Sequence, residues 1–154
     1  MTGIVVGIDG SPSADAALAF ALEEARLRTL PLRIVCAWEV PAIEYAGTAF
    51  APAPDLATEA EHRAEKVLER ALETVGREPG VEIETVAAPG HPPDVLVAQS
   101  EGATLLVVGT RGRGGFASLV LGSVSQAVAH RGRCPLTIVH SDGPTDAFDP
   151  VPTS

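Results

Sequence analysis

The spacing of hydrophobic residues changes several times along the chain, and the changes predict alternating strands and helices. Short, mostly apolar runs are typical of strands that are buried on both faces of a parallel sheet. Four such runs are Ile4–Ile8, Leu32–Val40, Leu105–Val108 and Leu136–Val139. A fifth segment, Val81–Ala87, alternates apolar and acidic residues, so we expect a half-exposed strand at an edge of the sheet.

Between these runs, apolar residues recur at helical spacing. Ser11 followed by proline supplies an N-cap and a first helical residue, and so predicts the start of the first helix. The longest predicted helix spans Asp55–Val75, with Glu and Arg on its polar face. Two short helices are predicted, one after the Pro89–Pro93 turn and one around Val124–Val128. The segment Pro41–Pro54 has few charges and several prolines, so it is predicted to be a loop.

Five strands that alternate with four helices predict an α/β fold with an open five-stranded parallel sheet and helices on both faces. In such doubly wound sheets, ligands bind beyond the carboxyl ends of the strands, where the strand order reverses. Asp9 and Gly109 follow two of these strands, and we expect both near a ligand. The predicted domain covers residues 1–141, and the Pro- and Asp-containing tail at 142–154 is expected to be disordered.

Composition and charge narrow the possible functions. Twenty acidic and eleven basic residues among 154 give a formal charge of −9, which disfavours binding to a nucleic-acid backbone. The two cysteines are far apart and the four histidines are scattered, so the spacings of a metal site are not found. Neither an export signal nor an apolar stretch of about 20 residues is present. We therefore expect a cytoplasmic protein that contacts neither membrane nor nucleic acid.

A glycine-rich segment runs from Gly109 to Ser123, between the fourth strand and the last helix. Glycines let backbone amides approach a phosphate closely, and a helix start adds unpaired N–H groups. However, strand-to-helix loops without any ligand are also often rich in glycine. The lysine of a P-loop and the GxGxxG fingerprint are both missing. These residues alone leave phosphate binding and a plain connecting loop equally open.

The spacing of this segment resembles the ATP-binding motif of the universal stress protein family. The stretch Gly109-x2-Gly112-x9-Gly122-Ser123 matches the family pattern of glycine, two residues, glycine, nine residues, glycine, then serine or threonine. The segments Ile8–Ser11, Gly90–Pro92 and Cys134–Val139 are also similar to the family. The resemblance extends over about residues 3 to 140, and it implies a fold of the adenine nucleotide alpha hydrolase type.

The resemblance also implies a set of nucleotide-binding residues. Asp9 would contact the ribose or a metal held by the phosphates, Ala37 the adenine and Gly109 the ribose. Gly112 would contact the phosphates, and Gly122, Ser123 and Val124 would lie along the phosphate chain. Arg111, inside the same loop, is added as a phosphate partner. Other interpretations of three of these residues remain open. Asp9 also suits a turn into the first helix, Ala37 a plain core position, and Arg111 a solvated loop charge.

The implied ligand is ATP, with or without Mg²⁺, and AMP and a cyclic nucleotide are alternatives. The implied function is that of a regulatory nucleotide-binding protein in stress response. The implied assembly is a homodimer through the last strand, Leu136–Val139, because the unpaired backbone groups of an edge strand can pair with a second strand. A slow ATP hydrolase or phosphotransferase is the enzymatic alternative. It needs a base beside the γ-phosphate, and Asp9 is the one candidate. A nucleotide-free interaction module is the third hypothesis.

Overall fold

The chain alternates strands and helices in the order that its hydrophobic pattern predicts. A computed structural model describes residues 2–40, 44–45, 48–49, 54–76, 80–110 and 121–141. In chain order the elements are β1 (Ile4–Gly7), α1 (Pro12–Arg28), β2 (Leu32–Trp38), β3 (Glu44–Tyr45), β4 (Thr48–Ala49), α2 (Pro54–Val75), β5 (Ile83–Pro89), α3 (Pro92–Gln99), β6 (Leu105–Gly109), α4 (Ser123–Arg131) and β7 (Leu136–Val139).

Five of the strands form one sheet in the order β5-β2-β1-β6-β7. All of the neighbouring pairs in this sheet are parallel. The chain builds outward from β1 to β2 and β5, then returns to place β6 and β7 on the other side of β1. The strand order therefore reverses between β1 and β6, and the predicted doubly wound fold is confirmed.

Both edges of the sheet lie where the sequence suggests. The alternating strand β5 is an edge strand, although it begins at Ile83 and not at Val81. The last strand, β7, forms the opposite edge, and its four side chains are half-buried. The predicted disorder of the tail at 142–154 concerns residues outside the described part of the chain.

The segment Pro41–Pro54, predicted to be a loop, contains a short antiparallel pair of strands, β3 and β4. Two-residue strands are too short to show a hydrophobic period, which is why the pattern did not predict them. Pro54 also belongs to α2 and not to the loop. The other residues of this segment lie outside the described ranges.

Two hydrophobic cores lie on the two faces of the sheet. Successive side chains of a strand point to opposite faces, so Val6 joins the core under α1 and α2 while Val5 joins the core under α3 and α4. Leu18 of α1 belongs to the first core, and Leu96 of α3 and Leu106 of β6 belong to the second. The sheet is thus covered on both faces, and its carboxyl edge is left for a site.

Candidate functional site

An open cleft lies at the carboxyl ends of β1, β2 and β6. It encloses about 550 Å³, a volume that includes space open to solvent. Its walls come from the ends of these three strands and from α1, α3 and α4. Because β1 and β6 are the neighbours at which the strand order reverses, the cleft lies where the fold favours ligand binding.

Four of the residues predicted from the sequence line this cleft together: Asp9, Ala37, Gly109 and Val124. Gly122 and Ser123 directly precede Val124 at the start of α4. Arg111 and Gly112 lie outside the residues that the structure describes. The structure thus brings together residues that are up to 115 positions apart in the sequence, from Asp9 to Val124. Their contacts with a ligand stay predictions.

Asp9 has a structural role at the start of α1. Its Oδ1 accepts a hydrogen bond from the Ser11 amide at 2.9 Å, and the Ser11 hydroxyl accepts one from the Ala14 amide at 3.3 Å. These two bonds turn the chain from β1 into the helix. The alternative that Asp9 directs this turn is therefore correct, and the same residue also faces the cleft.

Ala37 lies near the end of β2, on the face of the sheet that carries α3 and α4. It packs against the second core and also lines the cleft. A methyl group at this position leaves the space above the strand open, whereas a longer side chain would occupy it. The position is compatible with a flat ring placed against the main chain of β2.

Gly109 ends β6 next to Ser13, in the first turn of α1. A Cβ atom at this position would lie 2.2 Å from Oγ of Ser13 and 2.8 Å from the carbonyl carbon and oxygen of the same residue. Real Cβ atoms do not approach other atoms so closely, so packing alone requires a glycine here. This requirement comes from a residue 96 positions earlier in the chain, counted from Ser13 to Gly109, and local sequence does not reveal it.

The start of α4 faces the cleft through Val124. Gly122 is the N-cap residue, with φ −75° and ψ 171°, and its amide donates a hydrogen bond to the Thr110 carbonyl at 2.5 Å. That amide can contact a phosphate only if this bond breaks. Ser123 and Val124 lie in the first helical turn, where amides have no carbonyl partner within the helix. Their two amides and the positive end of the helix dipole are suited to an anion.

The model of the universal stress protein family matches residues 1–140 of the chain. The chain belongs to the universal stress protein family. Curated relatives include Universal stress protein Rv2005c and Universal stress protein Rv2623, both of Mycobacterium tuberculosis. Each is 39% identical over 88% of this chain and 44% of its own length. The chain therefore spans less than half the length of these relatives.

Solved structures of universal stress proteins have the same fold. Universal stress protein UspA from Lactobacillus plantarum superimposes with a TM-score of 0.76 at 20% identity, over 90% of this chain and 97% of its own. A universal stress protein solved in complex with cAMP has a TM-score of 0.58 at 30% identity, over 92% and 97%. One from Archaeoglobus fulgidus, solved with dAMP, has a TM-score of 0.55 at 26% identity, over 90% and 98%.

In this universal stress protein, a set of buried hydroxyl groups surrounds the end of β6. Oγ of Ser125 donates to the carbonyl oxygens of Thr110 at 3.2 Å and of Gly122 at 3.0 Å. Oγ1 of Thr110 lies 3.3 Å from Oγ of Ser13. Sequence reasoning missed these groups. The available signal was a hydroxyl residue directly after the first motif glycine and another two positions after Ser123.

The charges around the cleft limit its chemistry. Asp9 is the one titratable residue among the described residues that line it. Directly before Pro92, which lines the cleft, Nδ1 of His91 lies 3.4 Å from Oε1 of Glu39, and both side chains are exposed. In the described part of the chain, no three His, Cys, Asp or Glu side chains converge as a metal site would require. A metal ion here would need phosphate oxygens as additional ligands.

Within the described ranges, no helix combines the length and the apolar character that crossing a bilayer requires.

Proposed function

We propose that this universal stress protein is a regulatory protein that binds ATP in the cleft at the carboxyl edge of its sheet. The observation that carries the proposal is the convergence of Asp9, Ala37, Gly109 and Val124 on one cleft next to the first turn of α4. The complexes of other family members with cAMP and dAMP support an adenine nucleotide as the ligand class.

In the proposed complex the adenine ring lies against the main chain of β2 at Ala37. The ribose lies between Asp9 and Gly109, at the ends of β1 and β6. The phosphate chain extends toward α4, where the amides of Ser123 and Val124 and the hydroxyl of Ser123 donate hydrogen bonds. Arg111 and Gly112 belong to the same motif and are proposed as further phosphate contacts. Mg²⁺, if bound, would be held by the phosphates with Asp9 as a protein ligand.

The complete motif favours ATP over AMP and cyclic nucleotides as the proposed ligand. AMP carries one phosphate and therefore reaches less of the segment between Gly109 and Ser123. A triphosphate can extend from the ribose position to the first turn of α4. The distinction is tested below by comparing the three nucleotides directly.

A binding role suits the described cleft better than catalysis. Hydrolysis or phosphotransfer requires a group that positions the attacking water or hydroxyl next to the γ-phosphate. Among the described residues that line the cleft, Asp9 alone has a titratable side chain, and one of its oxygens is bonded to the Ser11 amide. We therefore propose that ATP stabilises one conformation or assembly of the protein, as a ligand of a single state must.

The direct test is to denature freshly purified protein and to separate the released small molecules by anion exchange with detection at 260 nm. The stripped protein is then titrated with ATP, AMP and cAMP. A Gly122→Ala, Ser123→Ala variant is compared with Ser100→Ala, whose buried hydroxyl donates to the Val97 carbonyl at the far end of α3. We expect ATP to bind to the wild type and to Ser100→Ala, but not to the double variant.

Three other results would change the proposal. If AMP or cAMP binds more tightly than ATP, that nucleotide is the ligand in place of ATP. A wild type that binds none of the three nucleotides would refute the nucleotide function and favour an interaction module. Steady turnover of ATP would contradict the regulatory role and favour the enzymatic alternative.

The proposed assembly is a homodimer that pairs through β7. The amide of Leu106 donates to the Pro135 carbonyl, and that of Thr110 donates to the Val139 carbonyl. In a parallel ladder, successive residues of a strand direct their backbone N–H and C=O groups alternately to one side of the strand and to the other. Since the carbonyls of Pro135 and Val139 face β6, the backbone groups of Leu136 and Ile138 face away from it. These outward groups are available to a second copy of the strand.

Sedimentation measures this assembly directly. We expect the wild type to have the mass of two chains at micromolar concentration. A Thr137→Lys variant is expected to shift toward one chain, because like charges oppose each other when two copies of an edge strand pair. A wild type with the mass of one chain would refute the dimer.

We also propose that the protein acts in the cytoplasm. Cys36 is buried and Cys134 is half-buried, and both are free thiols. Free cysteines are typical of proteins in a reducing compartment, and ATP is available there. Fractionation of cells that express the full chain would test the compartment.

A further inference from the structure

Ser125 is a buried hydroxyl that none of the proposed ligand contacts uses. It is 2% exposed and lies in the first turn of α4, two residues after Ser123. Its single hydroxyl hydrogen is shared between the carbonyl oxygens of Thr110 and Gly122, at 3.2 and 3.0 Å. The bond to Gly122 is local to the helix start, whereas the bond to Thr110 joins the helix to the end of β6.

Thr110 is itself held firmly at this point. Its amide donates to the Val139 carbonyl of β7 at 3.0 Å, and its carbonyl accepts from the Gly122 amide as well as from Ser125. Its side chain is 3% exposed, and Oγ1 lies 3.3 Å from Oγ of Ser13 in α1. Thr110 is therefore a fixed support, and the Gly122 amide and the Ser125 hydroxyl both attach the start of α4 to it.

The attachment determines where the first-turn amides of α4 lie. Ser123 and Val124 precede Ser125 directly, and Gly109 directly precedes Thr110 at the floor of the cleft. The Gly122 amide holds the N-cap at Thr110, and the Ser125 hydroxyl adds a second attachment in the first turn of the helix. The two bonds together set the distance and angle between the first-turn amides and the end of β6. The adenine position at Ala37 lies on β2 and does not depend on these bonds.

We propose that Ser125 is a positioning residue that sets the preference of the cleft for a phosphorylated nucleotide over its nucleoside. The inference rests on the proposed nucleotide function. Ser125 does not contact the ligand. Loss of its hydroxyl allows the start of α4 to shift relative to β6, so the phosphate loses well-oriented amides while the adenine and ribose contacts remain.

The expected effect is a selective loss of affinity for ATP. One hydrogen bond to a well-fixed carbonyl corresponds to a change of up to about tenfold in an equilibrium constant. We expect Ser125→Ala to bind ATP about tenfold more weakly than the wild type and to bind adenosine equally well. The ratio of the two dissociation constants is the decisive measurement, because a general loss of structure weakens both ligands together.

The chain offers a matched control in Ser100. Ser100 is also 2% exposed, and its hydroxyl also donates to the carbonyl three residues earlier, that of Val97, at 3.3 Å. It is the C-cap residue of α3 and does not line the cleft. Ser100→Ala should lower the melting temperature about as much as Ser125→Ala and should leave the ratio of ATP to adenosine affinity unchanged.

Isothermal titration of stripped, full-length protein with ATP and with adenosine tests the proposal, and melting is recorded for every variant. Ser125→Cys, matched by Ser100→Cys, provides a second pair that keeps a side chain in place with a weaker donor. Ser125→Cys is expected to shift the ratio of ATP to adenosine affinity in the same direction by a smaller amount. If Ser125→Ala does not fold, the comparison of Ser125→Cys with Ser100→Cys tests the proposal.

The outcomes separate the inference from the function on which it rests. If the wild type binds ATP and the Ser125 variants keep its ratio of affinities, the positioning role is overturned. Equal weakening of ATP and adenosine assigns Ser125 a purely structural role and also overturns it. A wild type that binds neither ligand removes the nucleotide function, and the inference fails with it.

Discussion

Replacing Gly109 by alanine is expected to destabilise the protein even when no nucleotide is present. The motif resemblance assigns this glycine to the ribose, but the structure gives it a second reason to be glycine. The added Cβ would lie 2.2 Å from Oγ of Ser13 and 2.8 Å from two backbone atoms of that residue. The alanine can be accommodated only if α1 and β6 move apart.

The cost can be estimated from the kind of atoms involved. Overpacking a core by one methyl group typically costs about 1–3 kcal/mol. Side chains can rotate away from such a contact, but backbone atoms of a capped helix cannot. The first turn of α1 is fixed by the bonds from the Ser11 and Ala14 amides to the side chains of Asp9 and Ser11. We therefore expect a loss at the upper end of the range, about 3 kcal/mol of unfolding free energy.

Urea unfolding of stripped protein, followed by fluorescence of the single tryptophan, Trp38, measures this loss. Gly7→Ala is the comparison, because its Cβ would meet side-chain carbons of Leu96 at 2.7 and 2.8 Å, and these can shift. We expect a loss of about 1 kcal/mol there. Adding Ser13→Ala to Gly109→Ala should restore only part of the stability, since the backbone contacts remain.

Two results would refute this reasoning. A Gly109→Ala protein within about 0.5 kcal/mol of the wild type would mean that α1 does not approach β6 as described. Full recovery in the double variant would mean that the hydroxyl, and not the backbone of α1, excludes a side chain at this position.

Three further changes test other parts of the molecule. Ala37→Leu should fill the cleft and weaken ATP binding at least about tenfold, measured by calorimetry, with a shift in melting temperature below about 4 °C; unchanged affinity would contradict the adenine position. Leu106→Ala in the second core, at 1% exposure, should cost about 2–5 kcal/mol in urea unfolding, and a loss below 1 kcal/mol would contradict its central packing. Arg131→Ala breaks an exposed ion pair with Asp94 and should change stability by less than about 1 kcal/mol, whereas a larger loss would give the pair a structural role.

The sequence predicts the sheet well because its strands are distinct in composition. Ile4–Ile8 and Leu105–Val108 are continuous apolar runs, and both are central strands of the structure. The acidic alternation in Val81–Ala87 predicts an edge, and β5 is at an edge. Burial on two faces or on one face leaves a direct signature in the order of residues, so periodicity is sufficient for these elements.

The contacts within the site are less predictable because they join distant parts of the chain. Ser13 restricts Gly109, and Ser125 bonds to Thr110, yet serine is equally common in loops and helix starts without such partners. The engaged amide of Gly122 is likewise a property of the fold and not of the motif spacing. The motif identifies which residues come together at the site. It does not show which of their backbone and side-chain groups already have hydrogen-bond partners within the fold.

This distinction changes what the glycine motif means in this protein. The first glycine is required by the packing of α1 on β6, and the amide of Gly122 closes the chain onto Thr110. Both features serve the fold with or without a ligand, so neither the glycine at position 109 nor the engaged amide at position 122 is specific to nucleotide binding. The specific contribution is expected from the first-turn amides of Ser123 and Val124, from the Ser123 hydroxyl and from the small residue Ala37. Substitutions of the Ser123 hydroxyl and of Ala37 should therefore weaken ATP binding in a folded protein, whereas substitution of Gly109 should lower stability first.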